Sequence, residues 1–112
     1  MYYGMTTEEL AHHYSETDVL RIYKEIGFDA VDYSYDMHAY EGSIYDQEDY
    51  VAYAKQLKAV ADEVGIRIHQ MHAPLYHRRI DVAATPEEKK QEAFLKKMTM
   101  RGFAVAELLG CN

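Results

Sequence analysis

The chain has no tryptophan, one cysteine and two prolines among its 112 residues. A single cysteine, Cys111, cannot close an internal disulfide, so the fold must rest on packing alone. No run of about 18 apolar residues occurs, which excludes a transmembrane helix. The opening MYYGMTTEEL lacks the basic start and apolar stretch of a secretory signal. Together these absences predict a cytoplasmic protein with no membrane partner. Basic residues are also scarce: 12 Lys and Arg stand against 19 Asp and Glu, for a formal charge of −7. That balance argues against a nucleic-acid surface, which needs a basic patch. Arg78 and Arg79 are local exceptions, as are Lys89, Lys90, Lys96 and Lys97. The lysines share a helical stretch with glutamates, as in PEEKKQE, and read as a solvated face.

What is present is ordinary globular material, 48% hydrophobic and 28% charged, enough for one domain with a modest core. Tyrosine is the exception to ordinary composition. Of eleven tyrosines, seven fall between Tyr14 and Tyr50. Tyrosines suit the mouth of a polar pocket. They suit a half-buried sheet equally well, and that is the default reading.

Three segments end alike, in YKEIGFDAVDYS, ADEVGIRIHQMHA and AELLGCN. Each runs from a helical pattern into a glycine, and in the first two a strand-like run follows. Gly27, Gly65 and Gly110 fit the position after a helix, where the backbone turns left-handed. They lie 38 and 45 residues apart, the size of one βα unit. A first helix is predicted from Thr17 or Asp18, with Val19, Ile22 and Ile26 as its apolar stripe and Tyr23 beside it. A second is predicted from about Asp46 to Val64 on Tyr50, Ala54, Leu57, Ala61 and Val64. A third opens at TPEE, with Thr85 as N-cap, Pro86 at the first helical position and Glu88 in a capping box. Its buried side is Phe94, Leu95, Met98, Val105, Leu108 and Leu109. Gly102 inside it either weakens the helix or permits close packing.

Strands are predicted at Tyr2–Thr6, Asp29–Ser34 and Ile66–His72. Alternating strands and helices without hairpin signals call for right-handed crossovers and a parallel sheet. Three such strands need both faces covered, or closure into a barrel. The fold class is therefore α/β, with the chain expected to be the N-terminal part of a (β/α)8 barrel, a complete one taking about 250 residues. A small open α/β domain is the alternative.

With these units in place, YKEIGFDAVDYS, LKAVADEVGIRIHQMHAPL and RGFAVAELLGC together resemble the N-terminal third of the xylose isomerase-like barrel superfamily. The HAP that ends the third strand is the distinctive part. The superfamily includes sugar-phosphate isomerases and epimerases and endonuclease IV-type apurinic-site nucleases. The resemblance implies a small sugar or sugar-phosphate substrate and a divalent metal, Mn, Mg, Co or Zn, held by carboxylates and a histidine from later strands. The stretch alone is therefore expected to be inactive and to bind no metal by itself. Under the nuclease alternative, His72 would be a zinc ligand. A third, non-enzymatic alternative is a half-barrel that self-associates through exposed strand edges.

On the third strand, alternation places Ile68, Gln70 and His72 on one face, and Arg67, His69 and Met71 on the other. The pocket-facing candidates are His72, Gln70 and Asp32, the last sharing a face with Ser34 on the second strand. His72 is read as a substrate contact, with a rim-closing hydrogen-bonded histidine as the alternative. Asp32 is read either as a ligand for substrate hydroxyls or as a carboxylate capping nearby amides. His69 reads as a structural, helix-facing histidine. His77 falls in a loop with no fixed spacing to His72, and His12 and His13 read as solvated. Arg78 and Arg79 could grip a phosphate, but a plain exposed loop is the default. Cys111 reads as a small apolar group.

Overall fold

The computed structural model describes residues 4–74 and 85–111. Helices and parallel strands alternate along it, as predicted. The strands are β1 (Gly4–Thr6), β2 (Ala30–Tyr33) and β3 (Arg67–Met71). They form one parallel sheet in the order β1-β2-β3. The helices are α1 (Glu8–Ala11), α2 (Glu16–Ile26), α3 (Tyr50–Val64) and α4 (Pro86–Leu109). Two 3₁₀ turns, Tyr35–His38 and Ile44–Asp46, lie between β2 and α3. The fold is thus a mixed α/β arrangement with a three-stranded parallel sheet. Among the described residues, no helix is long and apolar enough to cross a membrane.

Strand order follows chain order, so crossovers of one hand put the helices on one face of the sheet. Accordingly α2 packs on α3, and α3 on α4. Val31, Tyr33 and Ile68 are buried beneath them with Leu20, Leu57, Met98 and Val105. The opposite face carries half-buried Asp32 and exposed Gln70.

Helix ends follow the sequence closely. Gly27, Gly65 and Gly110 all take left-handed backbone, at φ of +116°, +79° and +76°. Thr85 caps α4, its Oγ1 accepting from the Glu88 amide at 3.1 Å. Gly102 resolves to close packing: a Cβ there would lie 3.1 Å from Tyr35 Cε1.

Four expectations are corrected. α2 starts at Glu16, because Ser15 Oγ takes the Asp18 amide at 3.2 Å and so fixes the N-cap earlier. Its buried face is Glu16, Val19, Leu20 and Tyr23, while Ile26 is 65% exposed. α3 starts at Tyr50, not Asp46, because the Asp46 carboxylate is committed to the loop. It accepts from the Gly42 amide at 2.8 Å and from Lys97 Nζ at 2.6 Å. The short helix α1 has no counterpart in the periodicity reading. Finally, strict alternation fails on β3. A register shift pairs Val31 with Ile68 but Asp32 with Gln70. The extra residue, His69, lets both Ile68 and Met71 reach the core, so Ile68 does not share a face with Gln70.

α4 reaches back over the 3₁₀ segment. Arg101 Nη1 donates to the carbonyls of Tyr45 (2.8 Å) and Gln47 (3.0 Å), and its guanidinium lies 4.6 Å from the Tyr50 ring centre. Tyr35 Oη donates to the Met98 carbonyl. These bonds tie residues that sit some 50 to 60 positions apart in the chain.

Candidate functional site

The C-terminal ends of the three strands form a polar rim. Their backbone ladder continues past the strands themselves. The Thr7 amide donates to the Asp32 carbonyl at 3.0 Å, and the His72 amide to the Tyr33 carbonyl at 2.8 Å. The Asp36 amide donates to the His72 carbonyl at 3.0 Å. Buried Thr7 accepts the Ser34 amide through its Oγ1 at 3.0 Å. His72 is therefore held through its backbone on both sides while its side chain stays exposed.

Of the three residues singled out from sequence, the structure joins two. Gln70 Nε2 donates to Asp32 Oδ2 at 3.0 Å. Thr6 pairs in register with Asp32, so Thr6, Asp32 and Gln70 line up across the sheet. Among the described residues, no hydrogen bond links the His72 ring to that pair. Ser34 lies past the end of β2 and is buried, so it does not share the Asp32 surface. His12 and His13 are exposed, as expected. His77, Arg78 and Arg79 lie outside the described residues, as do Tyr2 and Tyr3.

The Asp32–Gln70 bond is exposed to solvent. A bond of that kind adds on the order of 1 kcal/mol to stability and can exchange its partners for a ligand's at little cost. Asp36 Oδ1 is buried without a hydrogen-bond partner among the described residues.

Sequence reasoning missed a second polar cluster, buried behind the rim on the helix side. Glu16, at the first turn of α2, is 6% exposed. Its Oε1 accepts from Tyr33 Oη at 2.7 Å and Tyr53 Oη at 2.6 Å. Its Oε2 lies 3.1 Å from His38 Nε2. Tyr45 Oη lies 2.6 Å from Tyr33 Oη, which extends the network by one hydroxyl. The Tyr45 ring meets those of Tyr33, Tyr35, Tyr53 and His38 edge-on, with centres 4.8–6.4 Å apart. A buried carboxylate is costly unless donors replace its water, and here three side chains do so. The cluster pins α2, β2, both 3₁₀ turns and α3 to one point. The density of tyrosine between Tyr14 and Tyr50 was the available signal. Glu16 carried no signal of its own, lying just ahead of the helix start predicted at Thr17 or Asp18.

Burial keeps these phenols protonated. It pushes Tyr33 well above the usual tyrosine range, with the Glu16 charge adding to the effect. Tyr45 and Tyr53 are raised chiefly by burial too. Tyr35 is pushed up to about 12 by burial, offset in part by the Arg101 charge. Their native pKa values exceed the unfolded value of about 10. The stability they contribute is therefore complete below pH ~10 and is lost as pH rises through the native values. Alkaline titration should show Tyr35 ionising only near pH 12. Tyr33, Tyr45 and Tyr53 should ionise only as the fold is lost. Tyrosinate absorbance and circular dichroism, read together, test this. A single transition near pH 10 with the fold intact would rule it out.

Among the described residues, no group of three or more His, Cys, Asp or Glu side chains is placed to hold a metal ion. The resemblance places the ligands of its divalent metal on later strands, not on these residues. Comparison with protein-family models, with curated proteins and with solved structures returns no match.

Proposed function

We propose that the rim is part of the sugar-binding wall of a sugar or sugar-phosphate isomerase or epimerase, with this chain as the N-terminal βα portion of its barrel. The observation that carries the reading is the Asp32–Gln70 pair on the sheet face away from the helices, at the C-terminal strand ends. That is where βα folds place ligand-binding groups. Adjacent hydroxyls need an acceptor and a donor side by side, which a carboxylate next to a primary amide supplies. His72 follows on the same strand, with its backbone fixed and its ring open to solvent.

The role assigned to this chain is to bind and orient hydroxyls. Proton transfer between neighbouring carbons, and any metal assisting it, belong to strands beyond β3, and no step is routed through a metal here. The zinc-nuclease alternative for His72 draws no support from the geometry.

Calorimetric titration with free and phosphorylated ketoses tests the proposal. Binding should be weak, with Kd of about 1 mM, as befits part of a pocket. Asp32→Ala or Gln70→Ala should each weaken it about fivefold, the value of one hydrogen bond. Equal affinity in the double variant, or no heat with any ketose, would count against it.

A further inference from the structure

We propose that Thr7 is a positioning residue for the rim: its hydroxyl adds one bond to the β1–β2 ladder beyond the last residue of β1 and so fixes the end of β2 that carries Asp32. The proposal rests on the sugar-binding reading for what the rim holds, but not for the clamp itself.

β1 and β2 pair in parallel, Gly4 with Ala30, Met5 with Val31 and Thr6 with Asp32. One step further, Thr7 stands opposite Tyr33. In a parallel ladder a residue gives its amide to the carbonyl just before its opposite number, and its carbonyl takes the amide just after. Thr7 makes the first of these bonds, its amide donating to the Asp32 carbonyl at 3.0 Å. The second would join the Thr7 carbonyl to the Ser34 amide. That carbonyl is already committed, because it accepts the Ala11 amide at 3.0 Å as the chain turns into α1. The hydroxyl takes its place, and Thr7 Oγ1 accepts the Ser34 amide at 3.0 Å.

Two further observations set this bond apart. Thr7 immediately precedes α1, where a threonine ordinarily caps its own helix. Its side chain makes no such cap here, so the hydroxyl serves the sheet and not the helix. Both partners are also out of reach of solvent, Thr7 at 1% and Ser34 at 2% exposed. A buried amide needs an acceptor, and at this burial bulk water does not stand in for the hydroxyl.

The consequence for the rim is positional. Asp32 lies between the two bonds from Thr7, one on its own carbonyl and the other on the amide two residues on. On the other side of β2, the His72 amide holds the Tyr33 carbonyl at 2.8 Å. The Asp32 carboxylate meets Gln70 Nε2 at 3.0 Å across a shifted register, so the pair depends on where the strand ends sit. Loosening β2 from β1 lets Asp32 turn from Gln70, and acceptor and donor no longer lie side by side for neighbouring hydroxyls. Thr7 is too buried to touch a sugar and acts through Asp32.

Two substitutions separate the hydroxyl from the rest of the side chain. Thr7→Val keeps the branched shape and removes the acceptor, while Thr7→Ser keeps the acceptor and removes a methyl group. Both are expected to lower stability, so a role in stability alone would alter ketose binding in both or in neither. In calorimetric titration Thr7→Val should weaken ketose binding by up to the about fivefold expected of Asp32→Ala, and Thr7→Ser should bind like wild type. Added to Asp32→Ala, Thr7→Val should weaken binding no further, because it acts through that carboxylate. A Thr7→Val chain that binds like wild type, a Thr7→Ser chain weakened as much as Thr7→Val, or an undiminished effect on top of Asp32→Ala would each overturn the proposal. Circular dichroism confirms folding. Thr7→Ala, whose smaller side chain lets water reach the Ser34 amide, replaces Thr7→Val if its spectrum changes. NMR of the sugar-free proteins separates the clamp from the sugar reading: the Gln70 side-chain amide signal should move in Thr7→Val and stay in place in Thr7→Ser. A wild type that binds no ketose sinks the sugar reading alone, whereas a Gln70 signal unmoved in Thr7→Val overturns the clamp.

Discussion

Replacing Glu16 with alanine is expected to destabilise the fold by about 3–5 kcal/mol, a large part of the 5–15 kcal/mol typical of a domain. The carboxylate is the common acceptor for Tyr33, Tyr53 and His38. Alanine would take the acceptor from Tyr53 Oη and His38 Nε2 and leave Tyr33 Oη with Tyr45 alone. Glu16→Gln should cost less, about 1–2 kcal/mol, because its carbonyl oxygen can still accept from both tyrosines. It loses only the charge and the acceptor facing His38. Urea denaturation of the three proteins gives the ranking. Equal stability of Glu16→Ala and wild type would mean that the cluster is not a structural hub.

The second large effect is expected at Gly102. Its alanine variant gains about 1 kcal/mol of helix propensity and meets Tyr35 at 3.1 Å, so the two contributions nearly cancel. Gly102→Val adds two methyl groups against a ring that is fully buried and tied to the Met98 carbonyl. Tyr35 cannot swing aside without breaking that bond. Overpacking of this kind should cost about 2–3 kcal/mol. Thermal unfolding of both variants tests the contrast. Equal melting temperatures for alanine and valine would show that α4 does not approach Tyr35 closely.

The alternation of helices and strands, the three glycine caps and the start of α4 were legible in sequence because each has a local physical cause. A left-handed turn needs glycine whatever surrounds it, and a TPEE start carries its own cap. Face assignments were less legible where they depended on distant partners. The bulge at His69 leaves no mark in IRIHQMH, since any residue can be the extra one. It follows from the fit of Ile68 and Met71 to a core built by other helices. Asp46 reads as a helix start until Lys97, 51 positions away, claims its carboxylate. The pairing of Asp32 with Gln70 was half legible: both were placed at the rim, but their contact depends on the shifted register. The Glu16 cluster was not legible, because it gathers side chains from five elements and no spacing rule joins them.

The most direct test of the functional proposal is the side-chain amide resonance of Gln70, followed by NMR as a ketose is added. If the rim binds sugar hydroxyls, that resonance should move in a saturable way together with the Asp32 and His72 backbone amides. Those of the buried cluster around Tyr33 and Tyr53 should stay in place. A Gln70 side-chain signal unchanged at saturating sugar, or shifts confined to residues away from the strand ends, would contradict the assignment of this rim as a sugar-binding wall.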